Sequence, residues 1–219
     1  MDWAWMADHL DELALRTLQH LLLAAIAVGV GLAISFLLAV WSVRRRSVYP
    51  PVIGIAGVLY TIPSLALFAA LVPIMGLSIL TAEIPLVLYT LVILFRNVVA
   101  GFDAVPPDVR EAADALSYTG TSRLVRIELP LAVPLITAGL RVATVSTIGL
   151  VTITATLGDA FGGLGFFIFE GARRSFPTEI YAGAIPTILL ALVLDRLFVR
   201  LQARLTPWDR RRPKGAIPG

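Results

Sequence analysis

The chain has 219 residues, 58% of them hydrophobic and 15% charged. Soluble domains hold roughly 45–50% apolar and about 25% charged residues, so this composition excludes an ordinary soluble enzyme and points to the bilayer. The net charge of +3 rests almost wholly on arginine, in clusters at Arg44–Arg46 and Arg210–Arg212 beside apolar spans, which reads as a topology signal and not as a nucleic-acid surface.

The segment before the first span is acidic, with Asp2, Asp8, Asp11 and Glu12. A cleaved signal peptide starts basic, so none is expected. Five apolar segments follow, at about Leu18–Val43, Val52–Met75, Ile84–Phe102, Leu131–Leu157 and Ile180–Leu201. A spanning helix needs about 20 apolar residues, and backbone in lipid must satisfy its own hydrogen bonds. Each segment is therefore predicted helical, and the alternation of a membrane barrel is missing. The expected fold class is all-α: one polytopic membrane domain over residues 1–219, with a polar loop at about 103–130 and a tail at about 202–219.

Arginine excess marks cytoplasmic loops. Arg44–Arg46 and Arg210–Arg212 are thus expected inside the cell, and five spans put the N-terminus outside and the C-terminus in the cytoplasm. The loop from Asp103 to Leu129 then falls on the cytoplasmic side. Pro63, Pro85 and Pro186 interrupt spans and read as kinks in preference to broken helices. Tyr60 and Ser64 lie four apart and, with Pro63 and Tyr89, make a candidate translocation face; the plainer reading is packing. Arg96 and Asn97 end the third span at the cytoplasmic interface. Arg141 follows Pro130 by eleven residues, about 16 Å along a helix. It reads either as a charge facing a pathway or, preferred here, as a side chain snorkelling to the interface.

The polar loop opens with Pro106-Pro107, and Asp108 and Glu111 suit a helix N-terminus. A short helix is expected from Asp108 to about Tyr118, a break at Thr119-Gly120-Thr121, and a second piece from Ser122 to Glu128, with Leu129-Pro130 starting the fourth span. Small side chains at Ala112, Ala113 and Ala115 permit close docking of a partner. The glycine-rich stretch Gly158–Gly165 reads as a re-entrant segment or as a plain extracellular turn.

The inventory for catalysis is poor. There is no cysteine, which excludes disulfides, thiol nucleophiles and thiolate metal sites. His9 and His20 are the only histidines, so no HExxH pair exists, and no G-x-S-x-G elbow occurs. Lys214, the only lysine, follows no glycine loop, which rules out a phosphate-binding Walker A site. Asp195 stands in the last span without a second aspartate. No catalytic residue, cofactor or metal site is expected.

The run Glu111-Ala112-Ala113, followed by Ile127-Glu128-Leu129-Pro130, resembles the coupling loop of permease subunits of ATP-binding-cassette (ABC) importers. That pattern has a glycine four residues after the second alanine, where this chain has Ser117. The resemblance makes Glu111, Ala112, Ala113, Ser117, Gly120, Ile127, Leu129 and Pro130 the candidate coupling residues. The run Tyr60–Phe68, with Gly139-Leu140-Arg141, Gly162–Gly165 and Ala182–Pro186, is similar to osmoprotectant permeases, which move glycine betaine, choline, carnitine or proline. Methionine-importer permeases are the second family considered. The resemblance implies a type I ABC importer permease fold in a bacterial inner membrane. It also implies a second permease, identical or a paralogue, a separate ATP-binding subunit, and an extracytoplasmic substrate-binding protein carrying the aromatic cage for a quaternary ammonium.

Overall fold

A computed structural model describes residues 1–158 and 161–207, and those residues form helices, turns and loops without a strand. The short α1 (Trp3–Asp8) is capped by the Asp2 side chain, which accepts from the Trp5 N–H. Four helices are long and apolar enough to cross a membrane. They are α2 (Leu10–Arg44), α5 (Ile79–Asp103), α8 (Leu129–Val151) with its flanking turns, and α10 (Pro177–Leu205). Each contains one of the apolar segments read from the sequence.

The second apolar segment departs from a continuous helix. It is built of α3 (Tyr49–Thr61) and α4 (Ser64–Met75), set at 93° to each other. The cause is local. Pro63 disfavours helical backbone in the residue before it, and Ile62 is extended at φ −69°, ψ 128°. Pro63 is thus a break and not a kink. Pro85 and Pro186, in contrast, lie inside uninterrupted α5 and α10.

The bent pair still carries the chain from one end of the molecule to the other. At its start, the Arg46 guanidinium grips the Asp103 carboxylate, Nη1 to Oδ2 3.0 Å, at the C-terminal end of α5. At its finish, Gly76-Leu77-Ser78 leads straight into the N-terminal end of α5. Those two ends are about 37 Å apart by helical rise, so the chain crosses five times.

Helix α5 is the hub, packed against α2 and α8 along its length and against α3 and α4 on a further side. One apolar cluster, with Leu23, Phe68, Leu86 and Ile148, fills the half nearer the N-terminus of α5. A second, with Phe95, Phe102, Ala132 and Ile136, fills the half nearer the 103–130 segment. Small residues let these helices touch, as expected where no hydrophobic gradient drives association. A Cβ on Gly139 of α8 would collide with the Asn97 side chain of α5.

At the end remote from the 103–130 segment, buried His20 ties three elements together. Its Nδ1 accepts from the Leu164 N–H at 3.3 Å, so Nε2 carries the proton and donates to the Ile148 carbonyl at 3.0 Å. The stretch it touches precedes α9 (Gly165–Arg173). Asp159 and Ala160, which bear on the re-entrant reading of Gly158–Gly165, lie outside the described residues, as do Arg210–Arg212.

Arg141 does not reach out alone. Its guanidinium forms a bidentate pair with Asp195 of α10, Nε to Oδ1 2.9 Å and Nη2 to Oδ2 3.1 Å. Gly139 abuts Asn97, six residues before the end of α5, so the pair lies only about 12 Å from that end. Arg96 adjoins Asn97 and Arg196 adjoins Asp195, so further arginines border this level.

The packing of α8 on α5 yields a paired test. Gly139→Ala is expected to destabilise the subunit by about 1–3 kcal/mol through overpacking. On the same helix Gly149, which faces open space, should accept alanine with a gain of about 0.5–1 kcal/mol. Thermal unfolding of both variants in detergent checks this, and equal behaviour would refute the close α5–α8 contact.

Candidate functional site: the polar segment between α5 and α8

The segment begins with α6 (Pro107–Ala115), which carries Pro107 and Asp108 in its first turn. It ends three residues earlier than the sequence suggested. Ser117 adopts the left-handed conformation, φ 61°, and two hydrogen bonds close the helix. The Tyr118 N–H reaches the Ala113 carbonyl at 3.1 Å and the Ser117 N–H reaches Asp114 at 2.9 Å. This is a Schellman C-cap, in which glycine is the favoured residue at the left-handed position. The departure from the family's glycine therefore falls where the backbone calls for one.

A one-turn helix, α7 (Gly120–Arg123), follows, with the Thr119 hydroxyl accepting from the Ser122 N–H at 3.3 Å. The chain then runs without a break through a π-turn, Leu124–Glu128, into α8. Pro130 explains the π-turn. It has no N–H for the Arg126 carbonyl and its ring crowds that group, so the helix widens and the Leu129 N–H bonds Leu124, five residues back. The expected second piece and the fourth span are one helix.

The candidate coupling residues divide by environment. Glu111 and Ala112 are exposed on α6, beside Ala115 and the 73% exposed Leu116. Ala113 points the other way and is 2% exposed, packed inside its own chain. Gly120 is exposed with open space around it. Ile127 and Pro130 are half-buried, and Leu129 packs with Leu124 on the inner apolar cluster.

A polar network that the sequence reading missed lies beneath α6. Buried Glu128 is approached by Arg123 Nε at 3.0 Å and by Arg110 Nε at 3.5 Å. Neither Nε is aligned for a hydrogen bond, so the attraction is Coulombic. Arg123 also holds Asp114 on α6 at 2.7 Å, and Arg110 donates to the Phe102 carbonyl at the end of α5. Residues five apart point away from each other on an α-helix, where neighbours are three or four apart. Only the π-turn brings Arg123 and Glu128 together, and the one sequence signal for it was Pro130.

The candidate translocation residues gather at the Pro63 break. Tyr60 and Tyr89 meet edge-on at 5.4 Å between ring centroids, the Tyr89 hydroxyl donates to the Ile62 carbonyl, and Ser64 starts α4. Arg141 is not joined to them; it is paired with Asp195 at a level nearer the 103–130 segment.

The C-cap makes Ser117 a sensitive position. Ser117→Gly is expected to stabilise the segment by about 1 kcal/mol by removing the left-handed strain, and Ser117→Val to destabilise it by at least as much. Thermal unfolding and hydrogen exchange of the Tyr118 amide provide the measurement; a Val variant as stable as the parent would show that the left-handed turn is absent.

Residues 16–210 match the family described as binding-protein-dependent transport system inner membrane component. The osmoprotectant import permease protein OsmW of Salmonella typhimurium is 40% identical over 208 residues, covering 93% of this chain and 96% of that protein. The glycine betaine/carnitine/choline transport system permease protein OpuCB of Bacillus subtilis is 33% identical, covering 90% and 89%. The carnitine transport permease protein OpuCB of Listeria monocytogenes is 36% identical over the same shares. Among solved structures, an inward-facing MetNI methionine ABC transporter superposes with a TM-score of 0.77 at 18% identity, over 94% of this chain and 100% of that one; this is likeness of fold. With a family match over nearly its whole length and relatives at this identity, the chain belongs to the binding-protein-dependent transport system inner membrane components.

Proposed function

We propose that this chain is the permease subunit of an ATP-driven importer for a compatible solute of the glycine betaine, carnitine and choline class. The observation that carries the substrate class is the 40% identity, across 93% of the chain, to a permease named for osmoprotectant import. The methionine alternative rests only on fold likeness at 17% and 18% identity. Conversion of ATP is assigned to a separate subunit, delivery of solute to an extracytoplasmic binding protein, and the path to the space between this chain and a second permease. Tyr60, Pro63, Ser64 and Tyr89 are the path residues proposed, because a broken helix frees backbone groups beside a solute route.

The 103–130 segment is proposed to face the cytoplasm and to dock the ATPase through the exposed side of α6. Arg44, Arg45 and Arg46 stand at the same end of the molecule, with Arg200 and Arg204 near the end of α10. Arginine excess at one end supports a cytoplasmic location for it, and hence an external N-terminus. The docking face is Glu111, Ala112, Ala115 and Leu116. The sequence pointed to Ala113 as a contact as well; its burial within the subunit makes it a support for α6 instead.

Two outcomes are expected. Cells lacking this gene should lose uptake of radiolabelled glycine betaine, choline or carnitine and regain it on complementation; loss of methionine uptake alone would overturn the substrate class. Ala112→Arg should leave the permease in the membrane and cut co-purification of the ATPase about tenfold, a loss of about 1.4 kcal/mol. Undiminished co-purification would refute docking through α6.

A further inference from the structure

We propose that Glu128 is the positioning residue that makes α6 and α8 move as one. The idea rests on the reading of α6 as the ATPase-docking helix and adds what happens behind that surface. Three facts converge on this carboxylate. Its side chain is 6% exposed, so its charge is withdrawn from water and needs compensating partners. Those partners, Arg110 and Arg123, belong to α6 and α7, the two pieces of the segment that precede α8. Each arginine has a second grip: Arg110 on the Phe102 carbonyl that ends α5, and Arg123 on Asp114 near the end of α6. One anion thus holds α6, α7 and the start of α8 to a common point.

The joint sits where the helix is weakest. The stretch Gly120–Leu157 forms one 38-residue helix, and its π-turn, Leu124–Glu128, is where the regular hydrogen-bond ladder is interrupted. Without a clamp, a push on α6 would be absorbed by flexing of the π-turn. With Glu128 gripping both arginines from the last residue of that turn, the push passes into α8. Glu128 occupies the position that the Ile-x-Leu-Pro pattern leaves open, so the motif itself does not assign it this role.

The test separates coupling from docking. The parent and Glu128→Gln are reconstituted with the ATPase subunit and binding protein in liposomes, and ATP hydrolysis, betaine uptake and subunit recovery are measured together. Because the pairing is Coulombic, the neutral isostere loses it. The expected result is parental recovery of the ATPase, continued hydrolysis, and a fall of about tenfold in solute moved per ATP, the signature of a slipping joint. Glu128→Asp, which keeps the charge, should restore much of that ratio. Asp103→Asn, which removes an exposed ion pair outside the network, should leave it at the parental value. Should Glu128→Gln not reach the membrane, Arg110→Gln carries the same expectation at about threefold, since the Arg123 contact remains. An unchanged ratio overturns the proposal. So does a parallel loss of ATPase recovery and uptake, which would make Glu128 a structural prop for the docking face. Failure of α6 docking itself is read separately, from Ala112→Arg.

Discussion

Backbone groups that lose their partners inside a bilayer have no water to turn to, and this constraint organises the molecule. Prolines and changes of helix type each release such groups, and a nearby donor takes up several of them. At the Pro63 break the Ile62 carbonyl receives the Tyr89 hydroxyl. Where α8 tightens beyond Val151, the Thr152 N–H turns to Gly149 and Leu150 and leaves Ile148, whose carbonyl His20 then occupies. Tyr89 and His20 are therefore repairs to the backbone.

The same constraint explains what could be read in advance. The spans were legible because lipid demands long apolar runs, and the helix after Pro106-Pro107 because proline and acidic residues suit a first turn. The effect of each proline was not legible. Pro85 and Pro186 sit in intact helices while Pro63 releases Ile62 into extended backbone, although all three place the same local restriction on the residue before them. The Arg141–Asp195 pair was hidden by 54 residues of separation. A search for a second aspartate beside Asp195 looked for the wrong sign of partner.

In the candidate site the legible part was the pattern and the illegible part its orientation. Glu111, Ala112 and Ala113 are consecutive, yet a helix turns them to different sides, and only the contacts of α6 with its own chain decide which face remains free. In the sequence Ser117 was only a departure from the pattern's glycine, with nothing to tell a requirement for small size from one for left-handed backbone. Its left-handed backbone makes it a conformational substitution, tolerated because serine is small and the cap is closed by two backbone bonds. The charged network was illegible because the π-turn, and not the regular helix spacing, folds Glu128 inward beside Arg123.

The uninterrupted length from Gly120 to Leu157 has a mechanical consequence. At 38 residues the rod is about 57 Å long, nearly twice the apolar thickness of a bilayer. Clamped at its π-turn as proposed, a rod of that length would act as a lever, with its short arm among the charged loops and its long arm running past His20 at Ile148. The arm from Leu129 to Leu157 is about 42 Å long, so a tilt of about 5° at the pivot displaces its tip by nearly four ångströms. The bond between His20 and the Ile148 carbonyl thus lies far out on the long arm, about 28 Å from the loop end of α8, and a movement of the loop is felt there enlarged.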